Sequence, residues 1–114
     1  MSGTSADGVD AAMLYTDGRA VVVPGPSVFV PYDDAFRAAI LARMGRMEVD
    51  ASFAQAVTDW HERAVRQLLT KAGKTHTPVG LIGFHGQTLY HAPGEGITLQ
   101  AGDPQRLASR LGIP

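Results

Sequence analysis

Apolar and polar positions change period several times along the chain, and each change marks an element. The first eight residues, MSGTSADG, are small, polar and glycine-bearing, which is the pattern of a loop. Val9 to Thr16 is mostly apolar and predicts a strand. Asp17-Gly18 is a hairpin signal, with Ala20 to Val23 as the returning strand. Pro24-Gly25-Pro26 predicts a further turn, and Ser27 to Val30 a third short strand. The period then becomes helical. Phe36, Ile40 and Met44 recur at i, i+4 and i+8, with Asp33 or Asp34 as the cap and Gly45 as the stop. A longer helix is expected from about Asp50 to Ala72, closed by Gly73. Its apolar stripe is Phe53, Val57, Trp60, Ala64 and Leu68, and Arg63, Arg66, Gln67 and Lys71 lie on its solvated side. Val79 to Phe84 predicts a short apolar strand, with His85-Gly86-Gln87-Thr88 directly at its end. Pro93-Gly94-Glu95-Gly96 is a turn, and Ile97 to Gln100 a further strand. Asp103-Pro104 opens a last helix that reaches about Leu111. This order predicts an α/β domain: a mixed sheet with antiparallel hairpin strands at one side and flanking helices.

Composition narrows the function classes. The 114 residues suit one domain, and a chain of this length buries about 65% of its unfolded surface. Hydrophobic residues make up 45% and charged residues 18%, a globular balance. The net charge of -1 gives no electrostatic footprint for nucleic acid or for an anionic membrane. The absence of cysteine excludes disulfides, thiolate metal sites and a cysteine nucleophile. No apolar run reaches membrane-spanning length, and the N-terminus lacks the basic and apolar regions of a signal peptide. The expectation is a soluble cytoplasmic chain.

Two segments hold candidate chemistry. In Gly3-Thr4-Ser5-Ala6-Asp7-Gly8-Val9-Asp10 the glycines permit a tight backbone, and successive N–H groups can form an anion-binding nest. Thr4 and Ser5 add hydroxyl donors. Asp7 and Asp10 repel phosphate unless Mg²⁺ lies between, so the composition points to a metal–nucleotide site. It is not a Walker A loop, because it lacks the GK[ST] ending and any lysine. The same residues also suit a surface turn whose Ser, Thr and Asp side chains satisfy their own backbone. In the second segment, His85, Gly86, Gln87 and Thr88 sit where α/β sheets bind ligands, and His and Gln both donate and accept, as sugar hydroxyls require. Two loop histidines with local hydrogen bonds are the plainer alternative. Elsewhere, His61-Glu62 reads as a surface pair without the second histidine of a zinc helix. His76 lies in a threonine-rich loop, and His85 with His91 lacks a third metal ligand.

Together the two segments resemble a known family. Met1-Ser2-Gly3-Thr4-Ser5-x-Asp7-Gly8-Val9-Asp10, Gly83-Phe84-His85-Gly86-Gln87-Thr88-Leu89-Tyr90-His91-Ala92-Pro93 and Thr98-Leu99-Gln100-x-Gly102-Asp103-Pro104 look like anhydro-N-acetylmuramic acid kinase across essentially the whole chain. Ala6 stands where the family more often has a larger apolar residue, at a non-ligating position. The resemblance implies the actin/hexokinase/Hsp70-type superfamily, whose lobes are ribonuclease H-like. The 114 residues would then be one partial domain, the N-terminal lobe of a two-lobed kinase without its second lobe.

The resemblance also implies a cytoplasmic enzyme of cell-wall recycling that uses ATP and Mg²⁺. It opens the 1,6-anhydro ring with water and phosphorylates O6, giving N-acetylmuramic acid 6-phosphate. Gly3 to Asp10 would be the first phosphate loop, Asp7 and Asp10 the metal side, and His85 to Thr88 the sugar border. The general-base aspartate, the second phosphate loop and the adenosine segments lie downstream of the match, so no catalytic residue is assigned here. Family members carry a strand before the motif's methionine, here Met1, so the true start would lie upstream or the chain would be a piece cut at both ends. The intact enzyme is expected to be a homodimer. The alternative is an inactive fragment that at most holds a sugar or a phosphate.

Overall fold

A computed structural model describes residues 1–73 and 78–114. His76 falls outside the described residues. The first hairpin pairs β1 (Gly8–Thr16) with β2 (Val22–Pro31), antiparallel from Gly8↔Pro31 to Thr16↔Val22. Its loop is wider than a two-residue turn. Asp17 accepts the N–H groups of Arg19 (2.9 Å) and Val21 (3.0 Å), and Gly18 adopts φ 75°. The expected turn at Pro24-Gly25-Pro26 is absent, and the two short strands are one ten-residue strand. The register shifts between Ala12 and Leu14, which places an extra residue of β2 in a bulge at the glycine and prolines. A two-stranded hairpin consists of edges, so prolines without N–H are tolerated there.

α1 (Asp34–Leu41) is capped by Asp33, whose side chain accepts the Phe36 N–H at 2.7 Å. It stops three residues short of Met44. Gly45 turns at φ 78° and donates its N–H to the Leu89 carbonyl at 3.0 Å, so the chain leaves the helix to meet the second hairpin. α2 (Ala51–Ala72) starts at the Asp50 cap and ends at Gly73, as the sequence predicts. Phe53, Val57, Ala64 and Leu68 are buried and Trp60 is half-buried. Each fully buried aliphatic side chain contributes roughly 1.5–3 kcal/mol.

The second hairpin pairs β3 (Gln87–Ala92) with β4 (Ile97–Ala101) across a 3₁₀ turn at Pro93–Glu95. Strand and turn boundaries at 93–101 follow the sequence, but β3 itself is unpredicted. Its burial does not alternate: Gln87, Thr88 and Leu89 are buried in succession because Leu89 is the extra residue of a second bulge. Val79 to Phe84 forms no strand. Among the described residues its backbone bond is Ile82 N–H to the Pro114 carbonyl (2.8 Å), and Leu81 is exposed. The candidate segment at His85 therefore precedes a strand instead of following one. Among the described residues the single mixed sheet is also replaced by two separate antiparallel hairpins, and an isolated parallel bridge, Ser2↔Gln87, ties the N-terminal segment to the second.

α3 (Pro104–Leu111), capped by Asp103 and closed by Gly112, matches its expected bounds. Leu107 is buried and the helix packs on α2, so α2 is covered on two sides. That wider contact corrects the reading of His61 as a surface residue. Thr58 donates to the Ala54 carbonyl and accepts the Asp103 N–H, both at 2.8 Å. His61, 4% exposed, pairs Nδ1 with the Val57 carbonyl at 2.8 Å and lies edge-on to Phe84 at 4.9 Å. Glu62 remains half-buried between Arg66 and Arg110. Among the described residues no helix is long and apolar enough to cross a membrane.

Burial lowers the His61 imidazole from 6.5 to about 4, against the opposing Val57 hydrogen bond. Between these values the unfolded chain takes a proton that the folded chain refuses. The His61 contribution to stability is therefore complete above pH 6.5 and is lost as pH falls towards 4. Urea unfolding across this range is expected to show falling stability in the natural chain and a flatter profile in His61→Leu. Equal slopes would refute the assignment.

Candidate functional site

The site grows from the way the first residues are tied down. The Met1 carbonyl accepts the Asp10 N–H at 2.9 Å, and the Ser2 carbonyl accepts the Thr88 N–H at 3.2 Å. The short N-terminal segment thus touches both hairpins. Gly3 to Asp7 bulges out between these anchors and returns at Gly8, where the chain presses on Pro31. A Cβ at Gly8 would lie 2.7 Å from the Pro31 Cα and would overlap the Val30 carbonyl.

Within the loop, the Ala6 N–H closes a turn on the Gly3 carbonyl at 3.1 Å. Ala6 holds φ 54°, the one non-glycine positive φ among the described residues, and is fully buried in the core. Such a conformation costs a non-glycine residue of order 1 kcal/mol and persists when packing dictates it. Asp7 lends its carbonyl to the Tyr32 N–H at 3.0 Å. Val9 is 1% exposed, so its side chain belongs to the core and only its backbone borders the loop. Gly3, Thr4, Ser5, Asp7 and Asp10 are exposed. Among the described residues, the Thr4 and Ser5 N–H and hydroxyl groups have no protein partner. Asp7 approaches Arg37 at 3.9 Å, an open pair between exposed groups.

This donor set fits a Mg²⁺-bound phosphate chain. Thr4 and Ser5, with unpartnered donors, and the carboxylates of Asp7 and Asp10 are exposed within one eight-residue stretch, and Mg²⁺ is typically held by one or two carboxylates plus phosphate oxygens and water. No group of three or more His, Asp or Glu side chains converges among the described residues, so an all-protein metal cage is absent there.

The second segment is clamped on β4. Gly86 adopts φ 78°, and a Cβ there would overlap the Ala101 carbonyl, lying 2.8 Å from its carbon. Phe84 packs on Gly102, whose own Cβ would stand 2.6 Å from the ring. Between these fixed neighbours His85 is exposed. The Gln100 amide donates to its Nδ1 at 3.2 Å, which leaves Nε2–H as the outward donor. His91 pairs separately with Thr98 at 2.9 Å, so the two histidines do not converge.

Gln87 and Thr88 turn inward. Gln87 is fully buried, and Thr88 is 8% exposed. Tyr32 donates its hydroxyl proton to Ser2 Oγ at 2.8 Å, and Ser2 donates to Gln87 Oε1. Gln87 Nε2 donates to the Gly3 carbonyl at 2.7 Å and to the Thr88 carbonyl at 2.9 Å. Burial pushes the Tyr32 phenol up to about 12 against the opposing Ser2 bond, so it remains a donor at ordinary pH. Sequence reading missed Ser2, Tyr32 and Gln100 as site residues. Only Ser2 and Gln100 lay inside recognisable motifs, and Tyr32 carries no local signal.

A recess among the described residues lies apart from both segments. It is an open groove of about 810 Å³ along α2 and α3, lined by residues including Asp59, Glu62, Arg63, Arg66, Lys71 and Arg110. Its carboxylates are already matched, Asp59 by Arg106 and Glu62 by Arg66 and Arg110.

The family model described as anhydro-N-acetylmuramic acid kinase matches residues 1–114. Curated relatives carry the same name. One from Paramagnetospirillum magneticum is 45% identical over 114 residues, covering all of this chain and 32% of the relative. Another from Methylobacterium nodulans is 40% identical, covering all of this chain and 36% of the relative. A third, from Rhodospirillum rubrum, is 44% identical, covering 99% of this chain and 31% of the relative. The chain thus spans about a third of the length of the relatives it matches.

The two glycines that frame the site should respond differently. Gly86→Ala meets backbone at a positive φ and is expected to lose more than about 2 kcal/mol of stability. Gly3→Ala meets nothing within 4 Å and is expected to stay within about 1 kcal/mol of the natural chain. Paired denaturant melts check this, and similar losses at both positions would contradict the geometry.

Proposed function

The chain belongs to the anhydro-N-acetylmuramic acid kinase family, and from that membership we propose that it forms the N-terminal portion of a two-lobed kinase. On this reading it is part of an actin-like, ribonuclease H-like lobe. The whole enzyme is cytoplasmic and dimeric. It cleaves the 1,6-anhydro ring of anhydro-N-acetylmuramic acid and phosphorylates O6 during peptidoglycan recycling. The observation that carries the reading is the union of two motif segments at one place. The exposed donors of Gly3 to Ser5 stand on a loop that is bonded, through Ser2 and Gln87, to the segment bearing His85.

The residues divide the work by exposure. Gly3, Thr4 and Ser5 offer donors to phosphate oxygens, while Gly8 and Val9 fix the loop's return into β1. Ala6 fills the core beneath the loop, and Asp7 and Asp10 face the metal side. ATP with Mg²⁺ supplies the phosphoryl group when bound. Positioning and charge neutralisation supply much of the rate in phosphoryl transfer, so a rigid loop with open donors suits that task. His85 presents Nε2–H to an acceptor oxygen of the sugar. Gly86 keeps the backbone close, and Gln87 and Thr88 support the border from below.

Titration of the ¹⁵N-labelled chain tests this reading. Mg·ATP is expected to shift the amide signals of Gly3 to Asp10, and the anhydro sugar those of His85 to Thr88. The chain alone is expected to show no turnover. Multiple turnovers by the pure chain would contradict the division of the active site, and silence of both segments would overturn their assignment.

A further inference from the structure

We propose that Gln87 is a positioning residue whose buried amide sets the orientation of the Gly3 to Asp7 loop, so that the two candidate segments form one mechanical unit. The proposal concerns loop geometry; its consequence for phosphate binding rests on the kinase reading above.

The amide has one satisfying orientation. Its oxygen accepts from Ser2, with the Tyr32 hydroxyl also 3.2 Å away, and its nitrogen donates to the carbonyls of Gly3 and Thr88. Rotating the amide by half a turn would aim oxygen at two carbonyls and nitrogen at two hydroxyls already committed as donors. Gln87 and Ser2 are nearly or fully inaccessible and Tyr32 is 7% exposed, so water cannot replace a lost partner. The bond to the Gly3 carbonyl fixes the plane of the peptide that carries the Thr4 N–H. That carbonyl also accepts from Ala6, so two donors hold it at the base of the loop. On the other side, Gly86 is locked against Ala101, one residue before Gln87. A displacement of the His85 segment is therefore passed to the Gly3 carbonyl through this buried side chain, beside the backbone bond from the Thr88 N–H to the Ser2 carbonyl.

This assignment changes what Gln87 does for the site. A glutamine that hydrogen-bonds a sugar needs an open amide, whereas this one is spent inside the fold.

The test is Gln87→Glu, followed by amide NMR from pH 8 to pH 5. An ionised carboxylate faces the Gly3 and Thr88 carbonyls without a proton to give. The Thr4 and Ser5 amide signals are expected to move at pH 8, and pyrophosphate with Mg²⁺ to bind roughly tenfold more weakly than in the natural chain. Burial raises a carboxyl pKa, so acidification towards pH 5 returns a proton to the buried side chain. The O–H can then donate to Gly3, and the loop signals should return towards their natural positions. A purely structural lesion gives no recovery on acidification. Loop signals that match the natural chain throughout, or that move without recovering, overturn the proposal. Should Gln87→Glu fail to fold, Tyr32→Phe removes only the outer hydroxyl. Shifts at the Gln87 side-chain amide and at Gly3 and Thr4 are expected there, and their absence also overturns it. Pyrophosphate binding is read separately. If the natural chain ignores pyrophosphate while the pH-dependent loop shift persists, the kinase reading fails and the positioning role stands.

Discussion

The chain of hydrogen bonds from Tyr32 through Ser2 to Gln87 is the constraint on which the rest of the structure depends. It joins the corner between β2 and α1, the N-terminal segment and the start of β3. Each group is removed from water, so each must find a partner within the fold. An unpaired group there would cost about 1–3 kcal/mol, while the paired set contributes less than that per bond. The asymmetry makes the junction a specifier of geometry more than a source of stability. It ties three segments together, and through it the exposed loop is bonded to the segment that also carries the exposed histidine.

α2 supplies the wall against which this junction is built. Phe53, Val57 and Ala64 pack beneath the first hairpin, Thr58 meets the start of α3, where Leu107 is buried, and His61 lies against Phe84. Near the junction, Tyr32 sits edge-on to Phe36 and to Trp60 at 5.0 and 5.3 Å. Phe36 in turn stacks on Phe53 and Trp60. Arg43 lies over Phe53 and Arg63 over Trp60, covering the aromatic row with guanidinium planes that remain accessible to water. The phenol at the head of the hydrogen-bond chain is thus held by rings and not by its hydroxyl alone.

The sequence made the helices legible because their signals are local. Asp50, Asp103 and Gly73 cap within a turn of the residues they define, and the apolar stripe of α2 from Phe53 to Leu68 repeats over about four turns. The strands were harder, because pairing partners are remote. The prolines of β2 look like a turn until the register shift opposite Met13 shows a bulge that absorbs them. β3 was missed because its bulge at Leu89 breaks the alternation on which strand reading relies. His61 was misjudged for a related reason: periodicity locates one buried face, and α2 has two. At the site, the exposed residues Thr4, Ser5, Asp7 and His85 carried motif signals. Tyr32 did not, since its partner lies 30 positions away and no spacing encodes it.

A leucine of similar size at position 87 would fill the volume but strand the buried Ser2 hydroxyl, since apolar replacement is often neutral only when the whole polar set is replaced. What leucine could not do is distinguish one peptide plane from another at Gly3. Dispersion and apolar burial are non-directional, so a packed aliphatic side chain would leave the Gly3 carbonyl with the Ala6 N–H as its remaining donor. The amide, by contrast, accepts on one edge and donates on the other, and both edges are filled by groups from different segments. On the proposed kinase reading the loop needs directionality, because donors act on an anion only when their N–H vectors converge. Gly3, Thr4 and Ser5 contribute none of that order through their own side chains. They inherit it from a buried amide 84 residues away.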